Sequence, residues 1–215
     1  MKRPVRVVVI DSGVHAAHPH INGVSGGIGV NSDGDLHADY VDRLGHGTAV
    51  AAVIREKAPL AEIFVAKVFD RELTATGAAL VAACDWASQQ RADVVNLSLG
   101  TINRAHAPAL ADAVSRMRRG GAVVVAAGAQ DGVPWLPGTL PGAWRVTIDW
   151  SLPRDQCRVV VDGREFSFLA SGFPRPIPGV PTEQNLKGLS FAVANVSGLL
   201  AALFDRFDMS GSACT

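Results

Sequence analysis

The stretch MKRPVRVVVIDSGV, residues 1–14, has two readings, and the choice between them decides the fold. Basic residues followed by an apolar run open an export signal, but they also open a buried strand. The apolar run here is VVVI (7–10), ended at once by Asp11. A signal core needs about 7–15 apolar residues. RVVVI (6–10) is therefore read as the first strand. It is β-branched and apolar at successive positions, as a strand covered on both faces is.

The same pattern recurs downstream. EIFVAKV (62–68), DVVNLSL (93–99) and AVVVAA (122–127) are further strand candidates. Between them lie TAVAAVIREKA (48–58), TATGAALVAACDWASQQ (74–90) and HAPALADAVSRMRRG (106–120). In the last of these, Leu110, Ala113, Val114 and Met117 recur at helical spacing. Apolar strands alternating with helices predict an α/β fold: a mostly parallel central sheet with helices on both faces. Residues 143–170 predict antiparallel strands with a turn at Asp162-Gly163. SGFPRPIPGVPTEQN (171–185) is a Pro-rich loop before the apolar helix of GLSFAVANVSGLLAAL (188–203). Nothing divides the chain, so one domain over residues 1–215 is expected, with no signal peptide or pro-segment recognised. No run approaches the length of a membrane span.

Composition narrows the function classes. Of 215 residues, 48% are hydrophobic and 19% charged, enough for a sizeable core. Twenty basic residues balance twenty acidic ones, so neither nucleic acid nor an anionic membrane is expected as the main partner. Cys84, Cys157 and Cys214 are odd in number and widely spaced, which favours a reducing compartment and a cytoplasmic location. Cys84, in an Ala-rich helix, reads as core packing. His15, His18 and His20 fit no standard metal spacing. Asp33, Asp35, Asp39 and Asp42 read as a solvated loop rather than calcium ligands. No metal or cofactor is expected. Asp93 and Asn96 read as strand-end hydrogen-bonding residues; Trp135 reads as cover for a loop, with lining of a substrate pocket as the alternative.

Ligands of open parallel sheets bind beyond the C-terminal ends of the strands. Asp11 follows the first strand, Ser98 to Gly100 end the third, and Gly128 follows the fourth. His46 precedes one helix and Ser190 opens another. A hydroxyl is a poor nucleophile until an imidazole takes its proton. The imidazole in turn needs a carboxylate to fix its tautomer. Asp11, His46 and Ser190 supply those three groups. Each also has a plainer reading: Ser190 as a helix cap, His46 as part of an N-terminal turn, Asp11 as a turn residue.

The order Asp, His, Ser is one of the arrangements known for this chemistry, and the surrounding motifs make the resemblance specific. DSGV (11–14), His18-Pro19, GHGTAVAAVI (45–54), APLAEIFVAKVFD (58–70), DVVNLSLG (93–100), VVVAAG (123–128), PGV (178–180) and GLSFAVANVSG (188–198) appear in that order. Together they resemble a subtilisin-like serine protease over most of residues 5–203. The resemblance implies a three-layer fold, with Asp11 as orienting carboxylate, His46 as general base and acid, and Ser190 as nucleophile. It implies that Ser98, Leu99 and Gly100 offer backbone hydrogen bonds to a peptide bound as an extended strand, with Ala127 and Gly128 also on the substrate side. The Ser190 N–H supplies one oxyanion donor.

Three departures stand out. Ala129 occupies the position where the family has an oxyanion Asn; in subtilisin, loss of that donor costs about 10²–10³ in kcat. Gln130 follows, and its amide is the candidate replacement. Leu189 stands for the usual Thr, and Ala194-Asn195 for the usual Pro-His. The leading expectation is a serine endopeptidase, dedicated to processing such as leader removal from a precursor peptide. The alternative, motivated by Ala129, is a pseudoprotease binding module that holds a peptide or partner protein in the cleft with little or no turnover. Oligomeric state is left open.

Overall fold

The computed structural model describes residues 3–130, 132–163 and 165–207, without the side chains of Gln130 and Glu165. Cys214 lies outside the described residues. In chain order the strands are β1 (Arg6–Asp11), β2 (Gly26–Val30), β3 (Leu36–His37), β4 (Glu62–Lys67), β5 (Val94–Leu97), β6 (Val123–Ala127), β7 (Ala129–Gln130), β8 (Val133–Pro134), β9 (Ala143–Ile148), β10 (Cys157–Asp162) and β11 (Glu165–Ala170). The helices are α1 (His46–Lys57), α2 (Gly77–Gln89), α3 (Ala107–Arg119) and α4 (Leu189–Arg206). Short 3₁₀ turns lie at Arg104–His106 and Thr182–Gln184.

Nine strands form one sheet in the order β10-β11-β9-β6-β5-β1-β4-β2-β3. The pairs from β11 through β2 are all parallel, and only the edge pairs β10–β11 and β2–β3 are antiparallel. β1 is central, and alternate residues supply two cores because side chains alternate across a strand. Val7 and Val9 join the α1–α4 layer with Val53 and Phe191. Val8 and Ile10 join the α2–α3 layer with Leu80, Leu110 and Met117. This is the three-layer α/β arrangement with helices on both faces. Cys84 is buried in the second layer, as its Ala-rich setting predicts. α3 buries Leu110, Ala113, Val114 and Met117, the stripe that the spacing predicts.

Several expectations are corrected. β5 ends at Leu97, so Ser98 and Leu99 lie where the chain leaves the sheet rather than in the strand. The segment 143–170 is antiparallel only between β10 and β11; β9 and β11 extend the parallel sheet side by side. An apolar run carries no information about strand direction. The Gly-rich β2, GGIGV, lacks the β-branched run that marked the other strands. α4 is an 18-residue helix, long and apolar enough by composition to cross a membrane, contrary to the sequence reading. Here 56% of it is buried, packed against α1 and against β5, β6, β9 and β11.

Candidate active site

Asp11 is the last residue of β1 and is fully buried. His46 is the first residue of α1. The helix begins behind Gly45, which has no side chain to cap it. Two residues from elsewhere do that work. Ser12 Oγ accepts the Gly47 N–H at 2.8 Å, and Asp42 Oδ2 accepts the Thr48 N–H at 2.9 Å and the Thr48 hydroxyl at 2.6 Å. Asp42 Oδ1 takes the Ser12 hydroxyl and the Leu44 and Gly45 N–H groups, each at 2.9 Å. Asp42 is thus a structural cap and not part of a solvated loop. Burial pushes its pKa up, but the Thr48, Leu44 and Ser12 donors more than reverse this and hold it below the usual carboxylate value. Its charge at the start of α1 also suits the helix dipole.

This capping draws α1 against the loop after β1. The approach is close: a Cβ at Gly47 would collide with the Gly13 carbonyl. The result is a 2.7 Å contact between His46 Nδ1 and Asp11 Oδ1, which also accepts the Ser12 N–H at 2.7 Å. Asp11 Oδ2 is buried without a hydrogen-bond partner among the described residues. Burial lowers the His46 pKa, but the hydrogen bond and charge of Asp11, with the Asp42 charge behind it, carry it above its ordinary 6.5. An Asp paired to Nδ1 leaves Nε2 as the nitrogen that can accept a proton.

Ser190 is the second residue of α4, behind Gly188. Gly188 has φ 151°, a conformation that favours glycine, and the helix start carries no side-chain cap bond. Ser190 is therefore not the helix cap. Helix geometry leaves its N–H, in the first turn, without an intrahelical acceptor. The Ser190 hydroxyl donates to the Ser98 carbonyl at 3.0 Å, and the Ser98 hydroxyl donates to the Ser190 carbonyl at 3.0 Å. Among the described residues no hydrogen bond joins His46 to Ser190. Both nevertheless line one cleft, and the His46 ring packs 5.7 Å from that of Phe191.

Behind the Ser98–Ser190 pair lies a buried relay. Asn96 Nδ2 donates to Ser98 Oγ at 2.8 Å, and Ser197 Oγ donates to Asn96 Oδ1 at 2.9 Å. Asn96 is therefore not a strand-end residue. It ties β5 to two points of α4. Asp93, by contrast, does bind at the strand start, accepting the Arg6 N–H at 2.8 Å.

The cleft has a volume of about 590 Å³, and Ser98, Leu99, Gly100 and Ala127 line it beside His46 and Ser190. Gly128 does not line it: its N–H donates to Val146 and its carbonyl accepts from Trp135, both at 2.9 Å. Ala129 and Gln130 pair with Pro134 and Val133 as a small hairpin, and the Gln130 side chain lies outside the described residues. That hairpin returns Trp135 to the cleft, against Gly100, so Trp135 lines the cleft rather than covering a loop. Phe69, Leu73, Ile148, Trp150 and Lys187 also line it. They come from three separate segments, and apart from Phe69 no quoted motif contains them. Among the described residues no cluster of His, Cys, Asp and Glu could hold a metal ion.

The family model described as the subtilase family, peptidase S8, matches residues 2–149. The minor extracellular protease Epr of Bacillus subtilis (strain 168) is 31% identical over 180 residues, covering 78% of this chain and 27% of that protein. Subtilisin DY of Bacillus licheniformis is 29% identical over 226 residues, covering 94% of this chain and 77% of that protein. The chain thus spans about a quarter of the first relative. Among solved structures, a lanthipeptide protease superposes with a TM-score of 0.74 at 21% identity, over 97% of this chain and 76% of that one. The leader peptidase NisP of Lactococcus lactis gives 0.74 at 19% identity, over 97% and 79%. The prenylagaramide maturation protease PagA gives 0.66 at 24% identity, over 94% and 75%.

Proposed function

Because the chain belongs to the subtilase family, we propose that it is a serine endopeptidase whose nucleophile is Ser190. The observation that carries this is the His46 Nδ1–Asp11 Oδ1 contact of 2.7 Å, facing the cleft that also holds Ser190. A substrate peptide lies along Ser98 to Gly100 as an added strand. Its N–H takes the Ser98 carbonyl and releases the Ser190 hydroxyl to turn toward His46. His46 Nε2 removes the hydroxyl proton as Oγ bonds to the substrate carbonyl carbon. The Ser190 N–H holds the oxyanion. His46 then gives its proton to the departing amine as the C–N bond breaks. A water molecule repeats the cycle on the acyl-enzyme, releasing the acid and restoring the Ser190 hydroxyl.

The substrate class we infer is a precursor peptide cleaved at a defined site in the cytoplasm. Phe69, Leu99, Trp135, Ile148 and Trp150 make an apolar cleft suited to apolar substrate side chains. The solved structures of similar fold include a maturation protease, PagA, and a leader peptidase, NisP. Incubation with a mixed peptide library, read by mass spectrometry, tests this. A few cuts beside apolar residues support dedicated processing; broad degradation of casein and of the library alike overturns it.

A second reading has its own support. Ala129 lacks a side-chain donor, and the Ser190 hydroxyl rests on Ser98 rather than His46. Both suit a peptide-binding module with little turnover. Peptide affinity equal in wild type and Ser190→Ala, with no cleavage by either, favours that reading.

A further inference from the structure

β10 lies at one end of the nine-stranded sheet and, among the described residues, pairs on one side only, with β11. All six of its residues are exposed. Three of them are consecutive valines, with Val159 53%, Val160 39% and Val161 70% exposed. A long apolar edge strand invites another strand, and proteins usually blunt such an edge with charges or proline. This one carries neither in its centre. On the face shared with the α4 layer, Val159 and Val161 stand opposite Phe168 and Phe166. Phe166 is 41% exposed, and it packs edge-on against Trp144 and Phe168. The apolar layer under α4 therefore continues past the helix to the edge and, among the described residues, stops uncovered.

The sequence of the strand says what covers it. CRVVVDG (157–163) is charge-palindromic about Val160, with Arg158 two residues before and Asp162 two residues after. We propose that β10 pairs antiparallel with β10 of a second copy of this chain, about a two-fold axis at Val160. In that register Arg158 of each copy faces Asp162 of the other, so two opposite-charge pairs flank a Val160–Val160 contact on one face. Val159 faces Val161 twice on the other face and extends the layer of Phe166 and Phe168. The hairpin register, with Asp162 opposite Glu165, turns the N–H and C=O groups of Val159 and Val161 to the outer edge. The same register makes them the hydrogen-bonding pairs. Backbone parity, apolar surface and charge thus select one register. A shift by two residues puts Arg158 opposite Val160 or beyond the strand end. Within one copy Arg158 pairs with Asp149 at 3.5 Å, with Arg158 58% exposed, a contact that it exchanges for Asp162 of the other copy on pairing.

The test is the mass of the full chain by light scattering and sedimentation, from about 1 to 100 μM, the range expected of an interface below the standard size. The wild type is expected to reach dimer mass within it. Arg158→Asp and Asp162→Arg each place two like charges face to face and weaken the dimer about 10-fold or more. The double variant Arg158→Asp/Asp162→Arg restores it to within about threefold. In a Cys157→Ser/Cys214→Ser background, Val160→Cys forms a disulfide-linked dimer on mild oxidation. Circular dichroism checks that each variant folds. A wild type that stays monomeric throughout, a dimer indifferent to either reversal, or a charge swap that fails to restore it overturns the proposal.

Discussion

Asn96→Ala is expected to be among the most damaging single truncations outside Asp11, His46 and Ser190. Asn96 is fully buried in β5 and holds two hydroxyls from one side chain. Ser98 Oγ keeps its own acceptor, the Ser190 carbonyl, so it loses only an incoming bond. Ser197 Oγ, also fully buried, loses its acceptor. A buried hydroxyl without a partner costs about 1–3 kcal/mol, and the void left by the amide adds about 1 kcal/mol. The total is about 2–4 kcal/mol, or a Tm lower by about 5–15 °C for a chain of this size. Activity falls as well, because the relay sets Ser98 and hence the start of α4. Urea unfolding of Asn96→Ala, Ser197→Ala and the double variant separates the terms. Ser197→Ala in the Asn96→Ala background removes the orphaned hydroxyl, so the two losses overlap by about 1 kcal/mol. A loss under about 0.5 kcal/mol for Asn96→Ala, or strict additivity in the cycle, would refute the relay.

His46 must be neutral to act as base, and Asp11 and Asp42 hold its pKa above 6.5. The pH profile of kcat/KM should therefore rise through an apparent pKa above 6.5. Asp11→Asn should move that limb to lower pH and reduce kcat by about 10³–10⁴. Lys57, 9% exposed beside α4, has its pKa lowered to about 8 by burial and by the Arg154 charge. The unfolded chain binds more protons between pH 8 and the ordinary 10.5, so this burden is full below pH 8 and relieved as pH rises through that window. Lys57→Met should gain about 1–3 kcal/mol at pH 7 and lose that advantage above about pH 10, read by thermal melts at both. Gly47→Ala should cost about 2–4 kcal/mol, since the methyl collides with the Gly13 carbonyl and pushes α1 from Asp11. Equal melts for Gly47→Ala and wild type would contradict the close approach.

The layers were legible because β1, β4, β5 and β6 are short apolar runs, and α3 carries a clean helical stripe. Asp11, His46 and Ser190 were singled out by the ordered motifs DSGV, GHGTAVAAVI and GLSFAVANVSG; the structure sets His46 against Asp11 and brings His46 and Ser190 to one cleft. Other features depend on tertiary contact. Asp42 looks like one more acid in a polar loop until α1 presents its unsatisfied N–H groups to it. Asn96 reads as a polar residue near a strand end, yet its partner Ser197 is 101 residues away. Trp135 reaches the cleft only because the β7–β8 hairpin returns the chain to Gly128. The β-rich segment 143–170 showed its strands but not their directions, because pairing partners set direction and hydropathy does not.

The central claim is that Ser190 is a nucleophile activated by His46. Intact mass after fluorophosphonate treatment tests it most directly, on wild type, Ser190→Ala and His46→Ala. The account predicts a single adduct on the wild type, none on Ser190→Ala, and none on His46→Ala under the same exposure. A folded wild type that takes no label, or an adduct that persists in Ser190→Ala, would contradict it.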